Sequence, residues 1–237
     1  MQLRLVLAVV VVAACGDDGG SAIDATPTVD IDNGSCGDQL RFTGELVDWD
    51  STDAMFCGIN DADLQGGGAM DSTSPNGRFD LCLPRSMQVT QLDVTPPAGM
   101  SACTMQSSTY ALPGIAVANQ AVILAGGFWS GRLFTSARQQ SFFQSAGLVF
   151  DQAKAHVLVH VDGPPRGVAI TATHGTTQAF SGTAWAAGEI GRDVFFPNVD
   201  VGVGGGSTTL NVVGGAIGTG SIPLSPGKIT YVTVRAQ

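Results

Sequence analysis

Two Glu and two Lys in 237 residues constrain this chain more than any other feature. Glu45, Glu189, Lys154 and Lys228 are the whole set, set against 18 Asp. Glu and Lys clothe the solvent faces of helices. A chain this poor in both cannot carry many solvated helices. That argues against a bundle, a coiled coil or a doubly wound α/β enzyme. The 32 Gly, about one residue in seven, are nearly twice the usual share. The expectation is an all-β, turn-rich protein. Charge is unevenly spread: residues 1–93 carry net −11 and residues 94–237 net +2. No stretch is basic enough to track phosphates, so nucleic acid is not an expected partner.

The N-terminus reads as an export signal. Met1-Gln2-Leu3-Arg4 is short and positive, Leu5 to Val12 is unbroken apolar sequence, and Ala13-Ala14-Cys15 closes it. The apolar core is too short to span a bilayer. Val12-Ala13-Ala14-Cys15 resembles the lipobox of bacterial lipoproteins. The resemblance implies removal of residues 1–14 and acylation of Cys15, with palmitate-type chains giving a firm membrane anchor. Gly16 and Asp17 resemble the enterobacterial pattern for outer-membrane sorting. The expected location is the cell envelope, lipid-anchored at the outer membrane. Residues 15–38 are then the lipidated Cys and a polar tether with no apolar period, reaching on the order of 25 Å.

Four further cysteines remain: Cys36, Cys57, Cys82 and Cys103. An even number in an oxidising compartment points to two disulfides. Their spacings lack the close pairs that zinc sites use. Three pairings are possible, and sequence does not choose among them.

Strand periodicity starts at Leu40. Phe42, Gly44, Leu46 and Asp48 alternate with Thr43, Glu45 and Val47. Ser74-Pro75-Asn76-Gly77 reads as a turn. Arg78 to Leu83 alternates again, with Phe79, Leu81 and Leu83 on one face, and Pro84 follows. Met87–Val94 reads as another strand. The run Asn76-Gly77-Arg78-Phe79 to Pro84, with Phe42–Asp48 upstream, resembles carboxypeptidase regulatory-like domains, whose fold is a transthyretin-like β-sandwich. Where that family has G-A-x-V, this chain has Asp61-Ala62-Asp63-Leu64. Downstream, Gly191–Pro197 echoes Gly77–Pro84 with one residue fewer. His156–Val161, Gly167–Thr173, Val199–Val203, Thr208–Val213 and Lys228–Val234 read as strands.

The expected architecture is therefore two transthyretin-like or Ig-like β-sandwich modules with one short connecting helix. The first is the disulfide-stapled stretch 39–109 and the second is 156–237. Residues 110–155 are the expected connector. In it, Ile115–Leu124 is a strand candidate and Ser136–Ala146 a helix, capped by Thr135 and stopped by Gly147.

Chemistry is sparse. His156, His160 and His174 lack the H-x-x-E spacing of the zinc peptidases that carry such accessory domains. On one strand His156 and His160 fall roughly 13 Å apart, too far to share an ion. No G-x-S-x-G is present. Gly202–Gly206 has no P-loop Lys and reads as a hairpin turn. Asp61 and Asp63 resemble the start of a calcium loop, with Gln65 and Ser72 where carboxylates belong, so any calcium site is weak. Asp48, Asp50 and Asp53 cluster after the first strand. Trp49, Trp129 and Trp185 are the ligand-binding candidates, with Trp129 in a glycine-rich setting that suits an exposed ring.

The leading expectation is a non-enzymatic, membrane-anchored exported lipoprotein, binding an unknown envelope protein or acting structurally. The alternative is a carbohydrate-binding surface module that stacks an envelope polysaccharide on exposed aromatics. No cofactor is expected beyond the weak calcium site. A hydrolase finds no nucleophile, acid and base set in the sequence.

Overall fold

The computed structural model describes residues 36–101, 103, 108–202 and 204–237. The export signal, Cys15 and residues 16–35 of the expected tether lie outside the described residues. The first half contains β1 (Leu40–Asp48), β2 (Asp63–Gly66), β3 (Ala69–Ser72), β4 (Arg78–Leu83), β5 (Val89–Thr95), β6 (Tyr110–Ala111), β7 (Gly114–Asn119), α1 (Gln120–Leu124), β8 (Trp129–Thr135) and α2 (Ser136–Ser145). The second half contains β9 (Ala155–Asp162), β10 (Arg166–Ile170), β11 (Gln178–Phe180), β12 (Trp185–Ala187), β13 (Ile190–Gly191), β14 (Asp193–Val199), β15 (Gly206–Val212), β16 (Ala216–Ile217), β17 (Gly220–Leu224) and β18 (Ile229–Ala236).

The fold is an all-β sandwich in three layers. The middle layer is one long sheet in the order β12-β11-β14-β9-β18-β7-β5-β2-β3, with β16 beside β18. A sheet of β4-β1-β8-β6 covers one face and a sheet of β13-β10-β15-β17 covers part of the other. Between the first pair lies an aromatic core of Phe42, Trp49, Phe79, Trp129, Phe134, Phe195 and Tyr231. Between the second lies an aliphatic core built on Val157, Val159, Val194, Leu210, Ile222 and Val232.

The sequence of each middle strand follows from this layering. On β9, His156 and Leu158 alternate with Val157, Val159 and Val161, and all five are buried. On β18, Ile229 and Tyr231 enter the aromatic core while Val232 and Val234 enter the aliphatic one. A strand covered on both faces loses its polar alternation. β5 shows the contrast: Thr90, Leu92 and Val94 are buried, and Val89, Gln91, Asp93 and Thr95 are exposed.

Two sandwich cores are present, as expected, but they share the middle sheet. The stretch 110–155 does not separate them. Its strand β7 pairs antiparallel with β5 and parallel with β18, and its strand β8 pairs parallel with β1. The hydrogen-bond ladder therefore runs through the boundaries drawn at 109 and 155. The strand expected to reach Leu124 ends at Asn119, whose side chain accepts from the amides of Ala121 and Val122 and starts α1. The helix expected after Thr135 is α2. Thr135 Oγ1 accepts from the Arg138 amide at 3.1 Å, and Gly147 follows with φ +68°. Val199 closes β14, and the strand expected over 199–203 is absent among the described residues there.

The two disulfides join Cys36 to Cys82 and Cys57 to Cys103. The first ties the entry of β1 to β4. The second ties the loop after β1 to the stretch after β5. Each spans 46 residues of sequence, for which loop-closure entropy gives about 4 kcal/mol.

Candidate functional site

A cleft of about 640 Å³ lies between α2 and the β11–β12 hairpin. Phe180 and Trp185 face each other across the hairpin ladder. The turn between them closes with the Ser181 amide donating to Ala184 O at 3.1 Å, and Gly182 adopts φ +102°. Trp185 is half-buried where it lines the cleft.

The ring of Trp185 is the outermost of three stacked aromatics. It stacks on Trp49 at 4.5 Å between centroids and 9° between planes, and Trp49 stacks on Phe134. The Trp185 indole N–H donates to Trp49 O at 3.3 Å. Phe142 of α2 meets both indoles edge-on. Trp49 is wholly buried, so of the two indoles Trp185 is the one that lines the cleft, with Phe142 and Phe180 beside it. The rim is polar. Arg138 Nε donates to Asp50 Oδ2 at 2.6 Å, and Thr176, Gln178, Thr183 and Ser145 complete it. An aromatic shelf beside a carboxylate, a guanidinium and an amide binds molecules with one apolar face and several hydroxyls.

A buried ionic group holds the shelf in place. Arg132 Nε bonds Asp193 Oδ2 at 2.7 Å, and its Nη1 donates to Trp49 O and Ser51 O. The same guanidinium lies 4.2 Å over the Phe180 ring. Burial opposes the charge on Asp193, yet Arg132 and His160 outweigh it and hold the carboxyl down to about 2. Asp48 steadies the turn from the other side. It accepts from the Asp50 amide at 3.0 Å and from the Tyr110 hydroxyl at 2.9 Å, and burial raises its pKa.

The three tryptophans part company. Trp49 and Trp185 meet, whereas Trp129 is 3% exposed and packs against Phe42, Phe79 and Tyr231. The expectation that Trp129 presents its ring is corrected: every residue of β8 is buried, and the Trp129 ring lies in the aromatic core between the covering sheet and the middle one. The calcium candidates are not brought together either. Asp61 accepts from Asn60 and Asp63 accepts from Ser72. Asp50 and Asp53 pair with Arg138 and Arg192. Among the described residues no three His, Cys, Asp or Glu side chains are grouped to hold an ion.

His156 stacks on Phe150 in the core and accepts from the Asn198 amide through Nδ1. Burial lowers its pKa to about 4. His174 bonds the Gly175 carbonyl. His160 bonds Asp193 at 2.7 Å, a pairing that sequence reading missed. The available signal was the lone charges in apolar strands, Arg132 in Trp129–Thr135 and Asp193 ahead of Val194-Phe195-Phe196. Charges in such places are buried and paired. Comparison of the chain with family models, with curated proteins and with solved structures returns no match.

Proposed function

We propose that the protein is an exported, lipid-anchored binding module of the cell envelope, and that it takes a glycan in the Trp185 cleft. The anchoring half rests on the positive start, the apolar run and Val12-Ala13-Ala14-Cys15. The outer-membrane placement rests on Gly16 and Asp17. Asn76–Pro84, which forms the turn and strand β4, supports placing the first sandwich with the carboxypeptidase regulatory-like domains, accessory units rather than catalytic ones.

One observation carries the binding half: a half-exposed Trp185, stacked on a buried Trp49, beside the Asp50–Arg138 pair. Sugar rings lay their C–H faces on an indole and hydrogen-bond their hydroxyls to carboxylates, guanidinium groups and amides. Trp49 and Arg132 fix the indole before a ligand arrives, so little side-chain entropy is lost on binding.

Two experiments test the reading. Radiolabelled palmitate fed to expressing cells labels the wild type and not Cys15→Ser; labelling of both removes the anchor. The purified full chain in detergent is applied to an array of envelope and plant glycans. Selective binding of one glycan class supports the cleft. A blank array, with specific protein crosslinks on cells, replaces the glycan with a protein partner.

A further inference from the structure

A second cleft of about 490 Å³ shares a wall with the first. Asp50 lines the first, and Ser51, Thr52 and Asp53 line the second. Its other walls bring together Glu45 of β1, Ser130 and Arg132 of β8, His160 of β9 and Arg192. These residues lie far apart in sequence and converge only through the layering of β8 on the middle sheet.

The geometry places a proton on His160 Nδ1. Its Nδ1 lies 2.7 Å from Asp193 Oδ1, and the other Asp193 oxygen is held by Arg132. An ionised carboxylate only accepts, so Nδ1 carries a proton in this bond and Nε2 is the ring nitrogen that does not face Asp193. Ser130 sits two residues before Arg132 on β8, so both side chains leave the same face of the strand. The Ser130 amide donates to Thr233 Oγ1 at 3.3 Å, and Thr233 stands opposite His160 in the β18–β9 ladder. The Ser130 hydroxyl makes no hydrogen bond among the described residues and lines the same cleft as His160. Glu45 stands opposite Ser130 in the β1–β8 ladder.

We propose that Ser130, His160 and Asp193 are a nucleophile, a general base and its orienting carboxylate, and that this cleft hydrolyses carboxylic esters. Ser130 Oγ attacks the ester carbonyl carbon and passes its proton to His160 Nε2. Asp193 stabilises the imidazolium. The tetrahedral intermediate collapses, the bond to the alkoxy oxygen breaks, and His160 gives that oxygen its proton, so an alcohol leaves. Water then attacks the acyl-Ser130 carbonyl and gives a proton to His160. The acid departs as the proton returns to Ser130 Oγ. Arg192 lines the cleft paired with Asp53 at 2.6 Å, and its guanidinium meets the oxyanion by exchanging that carboxylate for it. Burial pushes the Glu45 carboxyl up, so this neighbour of Ser130 opposes the oxyanion less than an ordinary carboxylate does. Neither the glycan reading nor the membrane anchor enters this argument.

The test is covalent capture with a fluorophosphonate probe. Ser130 Oγ forms the bond to phosphorus, fluoride leaves, and His160 takes the proton. The full chain in detergent is incubated with the probe, digested and mapped by mass spectrometry. The expected result is an adduct on Ser130, its rate at least tenfold lower in His160→Gln and the adduct gone in Ser130→Ala. No adduct on Ser130 in the wild type overturns the proposal. An adduct forming equally fast in a His160→Gln protein that keeps its melting transition also overturns it. If either variant loses that transition, the wild-type adduct map decides alone.

Discussion

Arg132 is the residue on which most of the site depends. Its guanidinium neutralises Asp193, caps two carbonyls of the Trp49–Ser51 turn and covers Phe180. Removing one partner of a buried pair leaves the other charged and unpaired. Arg132→Ala is therefore expected to cost about 3–5 kcal/mol in denaturant unfolding, and a loss below about 1 kcal/mol would mean the pair is effectively solvated. His156 carries a pH prediction. Its folded pKa, about 4, lies below its ordinary value of 6.5. The unfolded chain therefore binds a proton that the folded chain refuses, and stability falls as pH drops from about 6.5 to about 4. The expected loss is about 3 kcal/mol, absent in His156→Gln. Glu45 and Asp48, both raised by burial, act in the opposite sense as pH falls through the carboxylate range. Asp193 adds its own loss between about 4 and about 2. Measuring wild type against His156→Gln across this range isolates the histidine.

Among the elements, those with one exposed face or a local signal were legible in the sequence. β1 and β4 alternate in period two, and α2 has both its Thr135 cap and its Gly147 stop. Thr135→Ala is expected to cost about 1 kcal/mol, read as a lowered melting temperature with the fold retained; no change would mean that packing of Phe142 and Phe143 alone holds the helix. β7 and β8 were harder to place because both of their faces are buried, leaving no polar alternation to read. The site was half legible for the same reason. Trp49 and Trp185 were visible as aromatics, but their stacking depends on β1 and the β11–β12 hairpin meeting across 136 residues. Trp129, chosen for its glycine neighbours, is core because those glycines serve close packing. A Cβ at Gly131 would come within 2.8 Å of the Trp129 ring itself.

At the scale of the molecule, the middle sheet decides what can fold alone. β5 reaches β18 only through β7, and β18 is the last strand of the chain. A fragment ending at residue 109 would expose the edge of β5 and half of the aromatic core, so it is expected to remain unfolded, while the whole chain melts in one transition. Two separated transitions, or a folded fragment 36–109, would show that the cores are independent. The far end of β1 leads into Trp49, buried beneath the Trp185 ring, and Asp50, in the cleft wall. The claim that this cleft is the working surface is tested most directly by titrating one glycan class, identified on the array, into wild type and Trp185→Ala, with melting curves to establish that both are folded. The account predicts at least a tenfold loss of affinity in Trp185→Ala, about 1.4 kcal/mol. Equal affinity in the two folded proteins would contradict it.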